Sequence, residues 1–182
     1  MLNSDKGNSP SGYCGLIGME NDMNIFYLDK DIETCAMYHC DRHVVKMIVE
    51  YTQILSTVSH LVGLEQGYKP THINHPCVKW AQQSFWNWSY LRELAMELCN
   101  QYKYRYGKIH KSYYVLAKLR QPELPDTKFT EPPKCMPDEC KVDGVIDSYR
   151  KYYCDIKSKF AKWKSGDNPK WFNNNYKGEQ NG

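Results

Sequence analysis

Apolar residues recur at steps of three and four positions through two long stretches of the chain. In the first stretch they are Val44, Ile48, Tyr51, Leu55 and Val58. In the second they are Ala81, Phe85, Trp88, Leu91, Ala95, Leu98 and Tyr102. This period is typical of one buried helix face. The pattern therefore predicts two long helices, over about 34–61 and 77–102, joined by a loop rich in glycine and proline.

The rest of the chain predicts shorter helices and two polar ends. A short helix follows the second long one, and five prolines in the next twenty or so residues exclude regular structure there. A last helix is predicted near 142–164. Gly, Ser and Asn are frequent in residues 1–22, which predicts a flexible leader, and residues 165–182 form a basic, aromatic tail. We expect one compact all-α domain over 23–164.

Composition and charge narrow the class of protein. The chain has 182 residues, of which 41% are hydrophobic, enough for one domain with a real core. Its net charge is +3, so charge alone implies no partner. We find no secretory signal and no apolar run of about 18 residues, so we expect a cytoplasmic protein that neither spans a membrane nor is secreted. Its eight cysteines are then expected to be free thiols, and the chain to be a monomer.

A polar stripe on the first long helix is a candidate active site. His39, His43, Lys46 and Glu50 fall within one narrow sector of the helix, roughly opposite the apolar face. A solvated helix face is the simplest interpretation of such a stripe. However, two imidazoles that titrate near neutral pH are unusual on a purely solvated face. The loop "THINHPC" adds two further histidines, His72 and His75.

Histidines and cysteines in this number also raise the question of a metal. Structural zinc sites favour two pairs of ligands, each two to four residues apart. Cys35 and Cys40, like Cys135 and Cys140, have four intervening residues, and the first two do not share a helix face. Zinc therefore remains a minor alternative, and we predict neither a metal nor a cofactor.

Basic and aromatic residues alternate in two later segments. Residues 101–120 contain six Lys or Arg and no acid, interleaved with tyrosines, and residues 149–164 repeat the mixture. Such segments supply phosphate contacts together with rings that stack on exposed bases. The alternative is that the tyrosines pack and the lysines lie along the helices. The predicted contacts to DNA or to a nucleotide are His39, Lys46, His72, His75, Lys103, Arg105, Lys108, Lys111, Tyr152, Lys159 and Trp163.

Several short motifs occur in an order that resembles a known family. In "DRHVVKMIVE", Asp41-x-His43 is followed after six residues by Glu50; "INHP", "YKYRYGKIH" and "YRKYYCDIKSKFAKW" come later. The order resembles the pyrimidine-dimer DNA glycosylase/AP lyase family of phages and bacteria, the endonuclease V type. The chain is also similar to uncharacterised virus proteins that begin near "MNIFYLDKD".

The resemblance implies a compact all-α fold and a defined chemistry. In the family, the amine of the mature N-terminus attacks C1′ of a damaged nucleotide, forms an imine, and a glutamate assists. Glu50 matches that glutamate, and His43 matches a histidine near the DNA backbone. A terminus near Met23 makes Asn24 a candidate for the position of the amine. Val49 stands where the family usually has an arginine.

Three functions from different classes follow from these patterns. The first is a virus-type DNA-processing enzyme, a base-excision glycosylase/AP lyase that acts on damaged or modified pyrimidines. The second is a non-catalytic module on the same fold that binds DNA or a nucleotide. The third is a nucleotide- or base-modifying enzyme that uses a cluster of His39, His43, His72 and His75.

Overall fold

The computed structural model describes residues 23–172, and within this range the regular structure is entirely helical. Its helices are α1 (Ile32–Tyr38), α2 (Asp41–Leu61), α3 (Pro76–Gln83), α4 (Phe85–Tyr106), α5 (Lys111–Leu116) and α6 (Val145–Asp155). Two 3-10 turns, Asp138–Cys140 and Lys157–Lys159, flank α6. The predicted all-α class is confirmed. The predicted leader, 1–22, and residues 173–182 of the predicted tail lie outside the described residues.

Helices α2 and α4 form the centre of the domain, and α3 and α5 pack beside them. The five residues of the predicted apolar face of α2 are all fully buried, which confirms the face read from the sequence. On the second predicted face, only Phe85 and Tyr102 keep partial exposure. No helix among the described residues is long and apolar enough to cross a membrane. The seven cysteines in this range are all free thiols, as expected from the sequence.

The first predicted long helix, 34–61, is two helices with a break at His39 and Cys40. Both residues have extended backbone conformations. The guanidinium of Arg105 on α4 donates hydrogen bonds to the carbonyl oxygens of Met37 and His39, both at 2.8 Å. The last carbonyl groups of a helix have no partner within it. Arg105 supplies that partner and pairs with Asp41 at 3.1 Å, so it stabilises the break.

The second predicted helix, 77–102, is also two helices, because Ser84 breaks it with an extended backbone. The Ser84 hydroxyl accepts a hydrogen bond from the Trp86 N–H group, which caps the start of α4. Helix α4 runs beyond the predicted end to Tyr106, where Gly107 adopts the left-handed conformation at φ 64°. The last predicted helix, 142–164, is shorter than expected, since α6 ends at Asp155.

An extended segment, residues 23–28, lies buried between α2 and α6. The Phe26 N–H group donates to the hydroxyl oxygen of Tyr51 on α2 at 3.0 Å. From the other side, the Tyr149 hydroxyl oxygen of α6 lies 3.3 Å from Asn24 Oδ1. The segment and α6 therefore cover part of the α2 face that carries the polar stripe, and a simple solvated face is excluded there.

Candidate functional site

Glu50 occupies a mostly buried position midway along α2. Its side chain is 14% exposed, and Oε1 accepts a hydrogen bond from Lys46 Nζ at 3.0 Å. The other oxygen, Oε2, is buried and has no hydrogen-bond partner. Burial raises the pKa of Glu50, while Lys46, His72 and Lys157 act against that shift. A carboxyl group in such an environment exchanges a proton more readily near neutral pH than an exposed one.

The groups that lower the pKa of Glu50 come from three separate parts of the chain. Lys46 lies one turn earlier on α2, His72 lies in the loop before α3, and Lys157 follows α6. His72 has a φ of 49°, which is uncommon for a residue other than glycine. The His72 carbonyl oxygen accepts a hydrogen bond from the His75 N–H group at 2.8 Å. This bond closes the turn in which His72 lies. The fold therefore brings two of the predicted site residues, Lys46 and His72, to Glu50.

The Cys77 thiol interacts with both Met23 and Glu50. Its thiol donates to the Met23 carbonyl oxygen at 3.6 Å. A hydrogen bond with Cys135 and burial raise the pKa of Cys77 well above its usual value, and the negative charge of Glu50 adds to this shift. Asn24 follows Met23 directly and is buried. Residue 23 therefore contacts the Cys77 thiol directly, and the Glu50 carboxylate is close enough for its charge to act on that thiol.

His39 is an interior residue that positions the segment 23–28. Its Nδ1–H group donates to the Cys35 carbonyl at 2.8 Å, so Nε2 accepts from the Tyr51 hydroxyl at 3.2 Å. Tyr51 in turn accepts from Phe26. Burial lowers the pKa of His39 to about 4. The imidazole is therefore neutral at neutral pH, and the side chain is fully buried inside the protein.

His43 also lies inside the domain. Its ring stacks on Phe26 with a centroid distance of 4.3 Å, and Nδ1 accepts a hydrogen bond from the Tyr153 hydroxyl. Burial lowers its pKa well below the usual value, and the nearby His39 contributes to that shift. The four histidines thus form two groups: His39 and His43 in the interior, and His72 and His75 in the loop before α3.

Residues 157–164 run along the first turns of α2. The Asp41 N–H group donates to the Lys162 carbonyl at 2.8 Å, and the Asp41 carboxylate accepts from the Lys164 N–H group at 2.8 Å. The guanidinium of Arg42 lies 4.7 Å from the centre of the Phe160 ring. These contacts gather cations around the end of α2 that leads to Glu50. We call this surface the basic rim; it consists of Arg42, Lys46, Lys157, Lys159, Lys162 and Lys164.

The remaining predicted DNA contacts fall into two groups: exposed residues, and residues whose side chains pack within the protein. Lys103, Lys108 and Lys111 are exposed where α4 ends and α5 begins. Helix α5, which begins after its N-cap residue His110, packs against α2 and so brings that region beside α2. Three predicted contacts instead pack within the protein. They are Arg105, which holds the break before α2, Tyr152, which is stacked with Phe26, and Trp163, whose indole N–H group donates to the Tyr38 carbonyl.

Three residues at the site were not among the predicted catalytic and DNA-binding residues, although Cys77 and Cys135 were considered as thiols for the minor zinc alternative. Lys157 stands two positions before Lys159 in "DIKSKF", and the pattern alone did not distinguish which lysine's charge acts on Glu50. Cys77 directly follows the "INHP" motif, which was an available signal. Cys135 lies in the proline-rich stretch, where no periodicity indicates what a side chain contacts.

Comparison with known proteins agrees with this geometry. A sequence model of the pyrimidine dimer DNA glycosylase family matches residues 23–114, just over half of the chain. No curated protein and no solved structure matches the chain. The matched range includes Glu50, Lys46, His72 and Cys77, and it ends before α6. The match supports a function of the pyrimidine dimer DNA glycosylase type, with DNA as the substrate. The chain belongs to the pyrimidine dimer DNA glycosylase family.

Proposed function

We propose that this protein is a base-excision glycosylase/AP lyase that acts on damaged or modified pyrimidines through an amine–imine intermediate, with Glu50 as its acid/base group. The observation that carries the proposal is the state of Glu50: a mostly buried carboxyl group with one unpartnered oxygen, beside a basic rim. Burying a carboxylate oxygen without a partner costs stability. Such a cost is typical of residues retained for chemistry.

The proposed reaction uses an amine and one carboxyl group. The neutral amine attacks C1′, and the bond from C1′ to the base breaks with its electron pair leaving on the base, which takes the proton that the attacking nitrogen loses. Glu50, when protonated, donates its proton to the sugar ring oxygen as the ring opens to the imine. As a carboxylate it then removes a proton from C2′, which expels the 3′ phosphate. Water hydrolyses the imine and restores the amine. Both roles suit a carboxyl group whose pKa is raised towards neutral pH.

Residues 23–24 support an α-amine as the nucleophile. An α-amine has a pKa of about 7.7–8.0, so it is partly neutral at pH 7. In a chain that begins at Asn24, this amine starts from the backbone position beside the Cys77 thiol, on which the charge of Glu50 also acts. Lys46 offers a second amine, since its Nζ atom lies 3.0 Å from the Glu50 carboxylate.

Borohydride trapping on DNA duplexes with an abasic site or a thymine dimer tests the proposal. Three forms are compared: the full chain, a form that begins at Asn24, and that shorter form with Glu50→Gln. We expect a covalent adduct from the Asn24 form, and a rate about 10²–10⁴-fold lower with Glu50→Gln. Glu93→Gln, an exposed change on α4, is the matched control and should leave the rate unchanged.

The same experiment distinguishes the α-amine from Lys46 as the nucleophile, and the lyase from a non-catalytic DNA-binding module. An adduct that persists in the full chain and disappears with Lys46→Gln assigns the nucleophile to the lysine. The absence of an adduct from every form, together with salt-dependent DNA binding, refutes the lyase. The basic rim favours a non-catalytic DNA-binding module in that case, and its binding should survive Glu50→Gln.

A further inference from the structure

Three potential metal ligands from two distant parts of the chain meet beside the start of α3. His75 is the N-cap residue of α3, Cys77 lies in its first turn, and Cys135 belongs to the proline-rich stretch before the first 3-10 turn. One ligand atom from each of these residues lies within 4.8 Å of the other two. Neither of the cysteine pairs considered from the sequence, Cys35–Cys40 and Cys135–Cys140, forms this cluster.

The separation of the two sulfur atoms matches a shared metal ion. Cys77 Sγ and Cys135 Sγ are 3.8 Å apart. Two zinc–sulfur bonds of about 2.3 Å at a tetrahedral angle place their sulfur atoms about 3.8 Å apart. A disulfide requires a separation of about 2.05 Å. The thiols are therefore already spaced as two ligands of one tetrahedral ion, and their side chains need no large movement to bind it.

We propose that His75, Cys77 and Cys135 form a binding site for Zn²⁺ or a similar thiophilic divalent cation. Cys77 is buried, whereas His75 and Cys135 are partly exposed, so the site has a path from solvent. Three protein ligands leave the fourth position to a water molecule or another small ligand. Binding converts two thiols to thiolates and releases two protons to solvent, with no change in oxidation state.

The surrounding contacts indicate what the ion would hold in place. Cys77 contacts the Met23 carbonyl. Next to Cys135, the Pro133 carbonyl accepts a hydrogen bond from the Tyr149 hydroxyl at 2.7 Å. An ion at this site would tie the proline-rich stretch to α3, where the extended segment and α6 also meet. This role concerns the architecture beside Glu50 and does not depend on the lyase chemistry.

Titration of the reduced full chain with Co²⁺, read by absorption, tests the proposal. We expect one Co²⁺ per chain, with a sulfur-to-cobalt charge-transfer band and the intense d–d bands of tetrahedral cobalt, and displacement by Zn²⁺. Cys135→Ala should abolish the charge-transfer band of a two-thiolate site. His75→Asn removes the imidazole and keeps a good N-cap side chain for α3. It should weaken binding by more than the roughly 10–100-fold that loss of a supporting hydrogen bond costs a metal site.

Cys99→Ala is the matched control, because Cys99 is a buried thiol on α4 outside the cluster. It should leave the cobalt spectrum unchanged. Zn²⁺ should raise the urea concentration at the midpoint of unfolding for the native chain and for Cys99→Ala, and should raise it less for His75→Asn. This measurement tests the site even if Cys135→Ala does not fold. Weak octahedral cobalt bands without charge transfer would overturn the proposal. A Cys77–Cys135 disulfide that forms in air equally well with and without Zn²⁺ would also overturn it.

Discussion

Replacing Glu50 by glutamine is expected to stabilise the fold at pH 8 while it removes the proposed chemistry. A buried charged oxygen without a partner costs about 1–3 kcal/mol, and Glu50 Oε2 is such an atom. The ion pair with Lys46 stabilises the folded state by at most about 1 kcal/mol, because the lysine side chain is about half exposed. We therefore expect Glu50→Gln to raise the free energy of unfolding by about 1 kcal/mol at pH 8.

The size of this effect should depend on pH. Burial raises the pKa of Glu50 in the folded state above its usual 4.5. Ionisation therefore disfavours the folded state, and the penalty is complete only above the folded pKa. At pH 4 the group is largely protonated in both states, so the native chain and the variant should have nearly equal stability.

Urea unfolding at pH 4 and pH 8, followed by tryptophan fluorescence, measures the difference. Glu93→Gln controls for the loss of one surface carboxylate and should change the free energy of unfolding by less than about 0.5 kcal/mol at either pH. Glu50→Gln that destabilises the fold at pH 8, or that has the same effect at both pH values, would refute the view of Glu50 as a strained functional group.

Three further predictions concern the residues around the site. Arg105→Lys keeps the charge but removes the forked guanidinium that holds the break before α2, so the free energy of unfolding in urea should fall by about 3 kcal/mol. The control Lys103→Ala should change this free energy little. If Arg105→Lys instead keeps its stability and binds DNA more weakly, Arg105 is a DNA contact as the sequence predicted. Burial lowers the pKa of His39 to about 4, so as the pH falls this imidazole is protonated in the unfolded chain before it is protonated in the folded chain. Stability should therefore fall between pH 6.5 and about 4, and an undiminished slope in His39→Gln would contradict this assignment. Lys157→Gln should lower the salt dependence of DNA binding by about one unit of slope, with Lys79→Gln as the unchanged control.

Local sequence patterns were sufficient for the helix class and for the central core. The apolar period that runs through Val44 and Leu55 identified the buried face of α2, because this helix packs more extensively against α4 than against any other helix. Glu50 was indicated by its spacing from His43 together with the family resemblance. The structure adds that its carboxyl group is mostly buried.

The features that periodicity did not indicate depend on contacts between distant residues. The break at His39 and Cys40 is held by Arg105, which lies more than sixty positions later. A helical period that continues through a break does not reveal that a distant side chain caps it. Cys135 lies in a stretch without regular structure, so only the folded chain shows that it meets Cys77.

The buried segment 23–28 has a consequence for the synthesis of the protein. Asn24 and its partner Tyr149 are separated by 125 positions. At about 5–20 residues per second, a ribosome makes them roughly 6–25 s apart. During this interval the apolar run "MNIFYL" has left the ribosome without the helix that covers it. A nascent chain that stalls before α6 would expose this run, and we expect such products to aggregate or to engage chaperones.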